Sequence, residues 1–290
     1  MKTAKYILTG LICAGAVTGC TSKTETEKST ITVTIEPLRY FAEGVAGEKW
    51  NVVSMVPDGI SPETYDPSPL QLVKLNKSSL YLKIGYIGFE LNNMDKLKKN
   101  TPGLDIVDTS AGIDLITCSH HHHTKGNTTH VHEIEPHVWT SARNANIILE
   151  NICKVLCAKD KTNETYYRHR CDSMKTKVMQ TDSIMRQHLK GAQKTFLIYH
   201  PALTYMARDY GLKQLSIEKD GKEPTPSSIK ELITQCRKEG VKTIFVQREF
   251  NITNAQIIAE ETEAELVAIN PLSYNWHKEM IHIAQALNEN

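Results

Sequence analysis

The chain is 290 residues long with a formal net charge of +1, so nothing in its electrostatics points to nucleic acid. After the first twenty residues no segment is long and apolar enough to cross a membrane, which leaves ~260 residues for one large or two medium domains.

In chain order, Lys2 and Lys5 lead into an apolar run over residues 6–17. That run is too short for a stable spanning helix and reads as part of an export signal over residues 1–20. It ends in Val17-Thr18-Gly19-Cys20, which resembles the bacterial lipobox. Cys20 is therefore the expected lipidation site, making the protein extracytoplasmic and tethered to a membrane. Residues 21–30 are polar, rich in Lys and Glu, and read as a flexible tether.

Strands and helices alternate from Ile31 onward. β-Branched and apolar runs predict strands over 31–35, 50–56, 80–84 and 104–107, and Asp66-Pro67 predicts a helix start with an acidic N-cap and proline at the first helical position. Ala145, Ile148, Leu149, Ile152, Cys153 and Leu156 recur at steps of three and four, which predicts an amphipathic helix. Residues 161–190 are polar apart from a thin seam of Tyr167, Cys171, Met174, Val178 and Met185, the pattern of a connecting helix packed along one edge. Further strands are predicted over 195–199, 214–217, 241–246 and 265–269, with helices marked by Ile229, Leu232, Ile233 and Cys236 and by Ala255, Ile258, Ala259 and Thr262. The expected fold is α/β: two lobes, 31–160 and 191–290, each with a parallel sheet flanked by helices, joined by one long helix over 161–190. In such sheets ligands bind beyond the carboxyl ends of the strands, here in a cleft between the lobes.

Seven of the twelve histidines fall between Cys118 and Trp139: His120, His121, His122, His123, His130, His132 and His137. Neutral imidazole is the commonest protein ligand for zinc-like metals, so the stretch points to metal handling. The segment from His120 to His132 is read as a flexible loop, a weak collector or sensor of zinc rather than the main site, because an unstructured loop loses conformational entropy on coordination. Cys118, Cys153, Cys157, Cys171 and Cys236 have no C-x-x-C spacing. Cys153 and Cys157 lie on an apolar helical stripe and are expected in the core, whereas Cys118 borders the loop as a candidate ligand.

Four further residues stand where an α/β sheet places functional groups. Glu63 follows the second predicted strand, His137 follows the fourth strand and the histidine loop, His200 follows 195–199, and Asn270 follows 265–269.

The chain resembles the substrate-binding lipoproteins of zinc/manganese ABC transporters, the cluster A-I metal-binding family. The resemblance runs over nearly the whole mature chain. It is carried by Val56-Pro57-Asp58-Gly59 with Pro62-Glu63-Thr64-Tyr65-Asp66-Pro67, by Glu90, by Glu135-Pro136-His137-Val138-Trp139, by Tyr199-His200, by Glu223-Pro224-Thr225-Pro226 and by Asn270-Pro271-Leu272. It implies a metal site of Glu63, His137, His200 and Asn270, a partner ABC permease, and limited lobe motion about a stiff helix. Two departures matter: Glu63 stands where the family has a histidine ligand, and Asn270 where it has an acid. A carboxylate oxygen still binds zinc, whereas a neutral amide is a weak ligand and leaves the fourth position to water. The added oxygen donor narrows the preference for zinc over manganese or ferrous iron; relatives with histidine loops are mostly zinc proteins, which favours zinc. Gln247 stands where the family commonly has glutamate and is a candidate for orienting a ligand histidine.

The competing readings are an enzyme, a surface adhesin, and a binder of chelated iron or a corrinoid. His132-Glu133 and His137 miss H-E-x-x-H spacing by one residue, and Pro136 breaks the helix that motif needs. No Gly-x-Ser-x-Gly or phosphate-cradling glycine loop occurs, so the chain is not read as an enzyme. A chelate binder requires a wide cleft lined with aromatics and arginines.

Overall fold

The computed structural model describes residues 28–124, 127–218 and 221–288, and of residues 118–133 the backbone alone. The signal segment, Cys20 and most of the tether lie outside the described residues.

The first sheet contains β1 (Thr30–Val33), β2 (Asn51–Ser54), β3 (Ser78–Lys83) and β4 (Asp105–Asp108), all parallel, in the order β2-β1-β3-β4. Next come β5 (Thr117–Thr124) and β6 (Asn127–Ile134), which pair antiparallel with each other. The second sheet contains β7 (Thr195–Ile198), β8 (Lys213–Ser216), β9 (Thr243–Gln247) and β10 (Glu265–Ile269), again parallel, in the order β10-β9-β7-β8. In each sheet the first strand of the lobe is central, flanked by the second and third, with the fourth at an edge. Nine α-helices are described: α1 (Glu36–Ala46), α2 (Pro69–Leu75), α3 (Gly88–Asn100), α4 (Ala142–Lys159), α5 (Glu164–Leu189), α6 (Thr204–Tyr210), α7 (Pro226–Glu239), α8 (Thr253–Thr262) and α9 (Trp276–Ala286). Among the described residues no helix is long and apolar enough to cross a membrane.

Parallel strands covered on both faces bury nearly every side chain, which is why these segments read as continuous apolar runs; β9 is buried at all five positions. The strand alternation divides the second lobe between two cores. Phe196 and Ile198 join the main core with β1, β3, α1, α4, α5 and α9, whereas Leu197 and Tyr199 face a separate cluster under α7 and α8. The connecting helix buries Tyr167, Cys171, Val178, Thr181, Met185 and Leu189 along one stripe and packs on α1, α4 and α9. One continuous core thus runs from the first lobe through α5 into the second, which stiffens their relative placement. Cys153, Cys157, Cys171 and Cys236 are free and buried, as their apolar settings predict.

Three local expectations are corrected. The helix expected at Asp66-Pro67 begins two residues later: Ser68 is the N-cap and Pro69 the first helical residue. Ser68-Pro69 repeats the Asp-Pro signal and has Gln71 to complete a capping box, Ser68 Oγ accepting from Gln71 N and Gln71 Oε1 from Ser68 N. The histidine segment is a hairpin ribbon rather than an unstructured loop, with His121 opposite His130. Its polar residues carry no apolar alternation, the signal by which strands are recognised. The connecting helix starts at Glu164, after a 3-10 turn over Lys161–Asn163 capped by Asp160. Two helices were not anticipated: α6 is too short for a periodic pattern, and α9 has no side-chain cap to mark its start.

Candidate metal centre

Glu63 sits in the turn after β2, held over the start of α3. Gly88 N donates to its Oε2 at 2.9 Å and Phe89 N to the Pro62 carbonyl at 3.0 Å. A carboxylate there meets the positive end of the helix dipole. The close approach requires glycine: a Cβ at position 88 would lie 2.5 Å from the Glu63 carbonyl oxygen and 2.8 Å from Oε2. Glu63 Oε1 is buried with no hydrogen-bond partner. The α3 turn is itself anchored by buried Glu90, whose carboxylate accepts from Thr34 Oγ1 and from the Ile84 and Gly85 amides.

His137 follows β6 and leads into a 3-10 turn over Val138–Thr140 and then α4, capped by Ser141. Its Nδ1 contacts Glu135 Oε1, and its ring packs against Trp139 with centroids 5.2 Å apart. Burial opposes charge on His137, but the adjacent Glu135 carboxylate outweighs it and raises the ring's pKa; Glu135, despite burial that would raise it, is held below the usual carboxylate range by His137. The second lobe completes the support, because Thr204 Oγ1 donates to Glu135 Oε2 and the Tyr205 hydroxyl to the Glu135 carbonyl.

His200 follows β7 closely, two residues beyond its end at Ile198. Its Nδ1 lies 3.1 Å from Glu218 Oε2, and Phe250 stacks on the ring at 5.2 Å and 13°. The two Nε2 atoms of His137 and His200 face each other across the lobes at 3.2 Å. With both Nδ1–H groups turned to carboxylates, a hydrogen bond between these atoms needs one extra proton shared by the pair. Glu63, His137 and His200 line one cavity with Trp139, Glu249 and Phe250. The space is about 30 Å³, enough for a water or an ion and far below the ~300 Å³ at which organic-ligand pockets begin. That size excludes the chelated-iron or corrinoid reading. Among the described residues, no group of three or more His, Cys, Asp or Glu converges as a metal cluster; the two rings face each other and the carboxylates stand around them.

The family model described as "Zinc-uptake complex component A periplasmic" matches residues 31–290. The chain belongs to this family. It is 26% identical to the high-affinity zinc uptake system protein ZnuA of Bacillus subtilis (strain 168), over 90% of this chain and 83% of that protein. It is also 26% identical to the zinc-binding lipoprotein AdcA of Streptococcus pneumoniae (strain ATCC BAA-255 / R6), over 94% of this chain but only 56% of that protein. A crystal structure of ZnuA superposes with a TM-score of 0.83 at 28% identity, covering 91% of this chain and 99% of that one. The two-lobe fold and the class of extracytoplasmic substrate-binding protein for a divalent metal follow from this membership.

Of the expected ligands of this zinc-uptake family member, Glu63, His137 and His200 share the cavity and Asn270 does not line it. The Asn270 side chain is spent on its own turn, where Oδ1 accepts from Leu272 N at 3.1 Å, while the Asn270 backbone N donates to Glu279 Oε1. Gln247 grips the backbone of His200 rather than its ring: Oε1 accepts from His200 N at 3.1 Å and Nε2 donates to the His200 carbonyl at 2.8 Å. The imidazole is oriented by Glu218 instead. The side chains of Cys118, His120, His121, His122, His123, His130 and His132 lie outside the described residues. Sequence reasoning missed Glu135, Glu218 and Glu249 as participants. Glu135 lies two residues before His137 in the same short motif, and Glu218 and Glu249 follow the ends of β8 and β9, so the strand-end rule that selected His200 applies to them too.

Proposed function

We propose that the protein captures one zinc ion between its lobes outside the cytoplasm and delivers it to an ABC permease, held at the membrane by lipid on Cys20. One observation carries this reading: two imidazole Nε2 atoms 3.2 Å apart, with the Nδ1 of each ring against a carboxylate. A tetrahedral zinc with Zn–N bonds of ~2.05 Å separates its two imidazole nitrogens by ~3.3 Å. Glu135 and Glu218 keep the protons on the Nδ1 atoms, so the Nε2 lone pairs face the ion. Glu63 Oε1 adds an anionic oxygen. The donors come from both lobes, so the ion favours the closed arrangement in proportion to its differential affinity for it. The histidine hairpin is an accessory collector.

The test is competitive titration of the soluble form lacking residues 1–20, with zinc, manganese and ferrous iron beside His200→Ala. The reading predicts one tight zinc site that disappears in the variant. Tighter binding of manganese or ferrous iron would transfer the cargo to that metal. Weak zinc binding at several equivalents, unchanged in the variant, would move the capture site out of the cleft.

A further inference from the structure

We infer that Glu249 is the fourth metal donor of this cleft, supplying from the loop after β9 the carboxylate that position 270 lacks; the inference rests on the zinc-capture reading above. Among the described residues only two carboxylate oxygens are buried without a hydrogen bond, Glu63 Oε1 and Glu249 Oε1, and both residues line the same cavity. Burying an unsatisfied carboxylate oxygen is costly unless a cation meets it. The Glu249 side chain is 5% exposed, and its nearest cation, Arg248 Nε, stands 3.6 Å from Oε1, beyond hydrogen-bond reach. The same guanidinium also pairs with Asp58 of the first lobe. That shared, long ion pair with a sequence neighbour leaves Glu249 Oε1 without a hydrogen bond.

Charge balance points the same way. Counted over the directly bound donors alone, two neutral imidazoles and Glu63 leave a dication with a net charge of +1 in a cavity walled by Trp139, Phe250, Pro271 and Leu272, while Glu135 and Glu218 stand one imidazole further out. A second bound carboxylate brings that donor-set sum to zero. Asn270 contributes no charge, and its oxygen is already committed to Leu272 N. The resulting set has two nitrogens and two anionic oxygens, one of each from either lobe. Among the described residues no three such donors converge on one point, so capture includes rotation of the glutamates onto the ion.

The test compares the soluble form lacking residues 1–20 with its Glu249→Gln, Glu249→His, Asn270→Ala and His200→Ala variants. Zinc affinity is read by chelator competition, cobalt(II) loading by visible absorption, and folding by thermal unfolding of the metal-free proteins. We expect Glu249→Gln to keep the metal-free melting temperature, to lose at least ~10-fold in zinc affinity, and to weaken the cobalt absorption as the tetrahedral site opens. Glu249→His restores tight zinc binding, and Asn270→Ala binds as the parent does. Parent-like zinc affinity and cobalt absorption in Glu249→Gln overturn the assignment, as does a loss in Asn270→Ala that matches or exceeds that of Glu249→Gln. If His200→Ala also binds zinc like the parent, the cleft reading itself falls; if His200→Ala fails while Glu249→Gln is unaffected, only Glu249 is dismissed.

Discussion

The two lobes have the same strand topology, yet they hold their histidines differently. In the first lobe the His137 side chain is 8% exposed and its carboxylate partner Glu135 7%; in the second, His200 is 17% exposed and Glu218 11%. Glu135 is also gripped by Thr204 and Tyr205 from across the cleft. The first lobe thus presents a fixed, dry half-site assembled with help from the second, whereas His200 is stacked on Phe250 at a more accessible edge. The difference teaches that a shared topology fixes where donors emerge, at strand ends, while local packing decides how rigidly each is held.

Exchanging the histidines gives the largest expected effects. Both His137→Ala and His200→Ala abolish tight zinc binding in chelator competition, but they separate in urea unfolding of the metal-free protein. His137→Ala removes the charge partner of the more deeply buried carboxylate and is expected to lose ~3 kcal/mol, against about 1 kcal/mol for His200→Ala, whose partner is more exposed. Equal losses would erase the distinction between the lobes. Next come the orienting carboxylates, where Glu135→Gln is expected to weaken zinc by ~10- to 100-fold, with Glu218→Gln toward the lower end of that range; the reverse order in titration would make the second lobe the fixed half.

Gly88→Ala probes the seat of Glu63. Its Cβ would sit 2.5 Å from a backbone oxygen, so ~1–3 kcal/mol of stability is at stake, together with a fall in zinc affinity. A variant that melts and binds like the parent would show that the turn moves freely. The smallest effect is expected from replacing residues 119–132 by Asn-Gly, a two-residue hairpin turn. The tight zinc constant stays as in the parent and only weak additional equivalents are lost from the isotherm. A large loss of tight affinity would place the hairpin inside the main site.

Much of this was legible in the residues. The apolar runs located the sheets to within a few residues, and Glu63, His137 and His200 were chosen because they follow strands. Asn270 follows a strand too but does not line the cleft, because an Asx side chain at a strand end can bond its own backbone two residues on, as Oδ1 does with Leu272 N. The role of Glu135 was hidden because an acid near a histidine is common in sequence, and that of Glu218 because it lies 18 residues from His200; only packing shows that each oxygen meets Nδ1. The ribbon of the histidine hairpin was invisible because its pairing is carried by the backbone, whose hydrogen bonds leave no trace in composition.

The central claim is that one zinc ion bridges His137 and His200. Anomalous diffraction at the zinc edge from crystals of the zinc-loaded soluble form tests it directly. The account predicts a single strong peak between the two Nε2 atoms with Glu63 Oε1 among its ligands. A peak in the hairpin or elsewhere on the surface, with the cleft free of zinc, would contradict it.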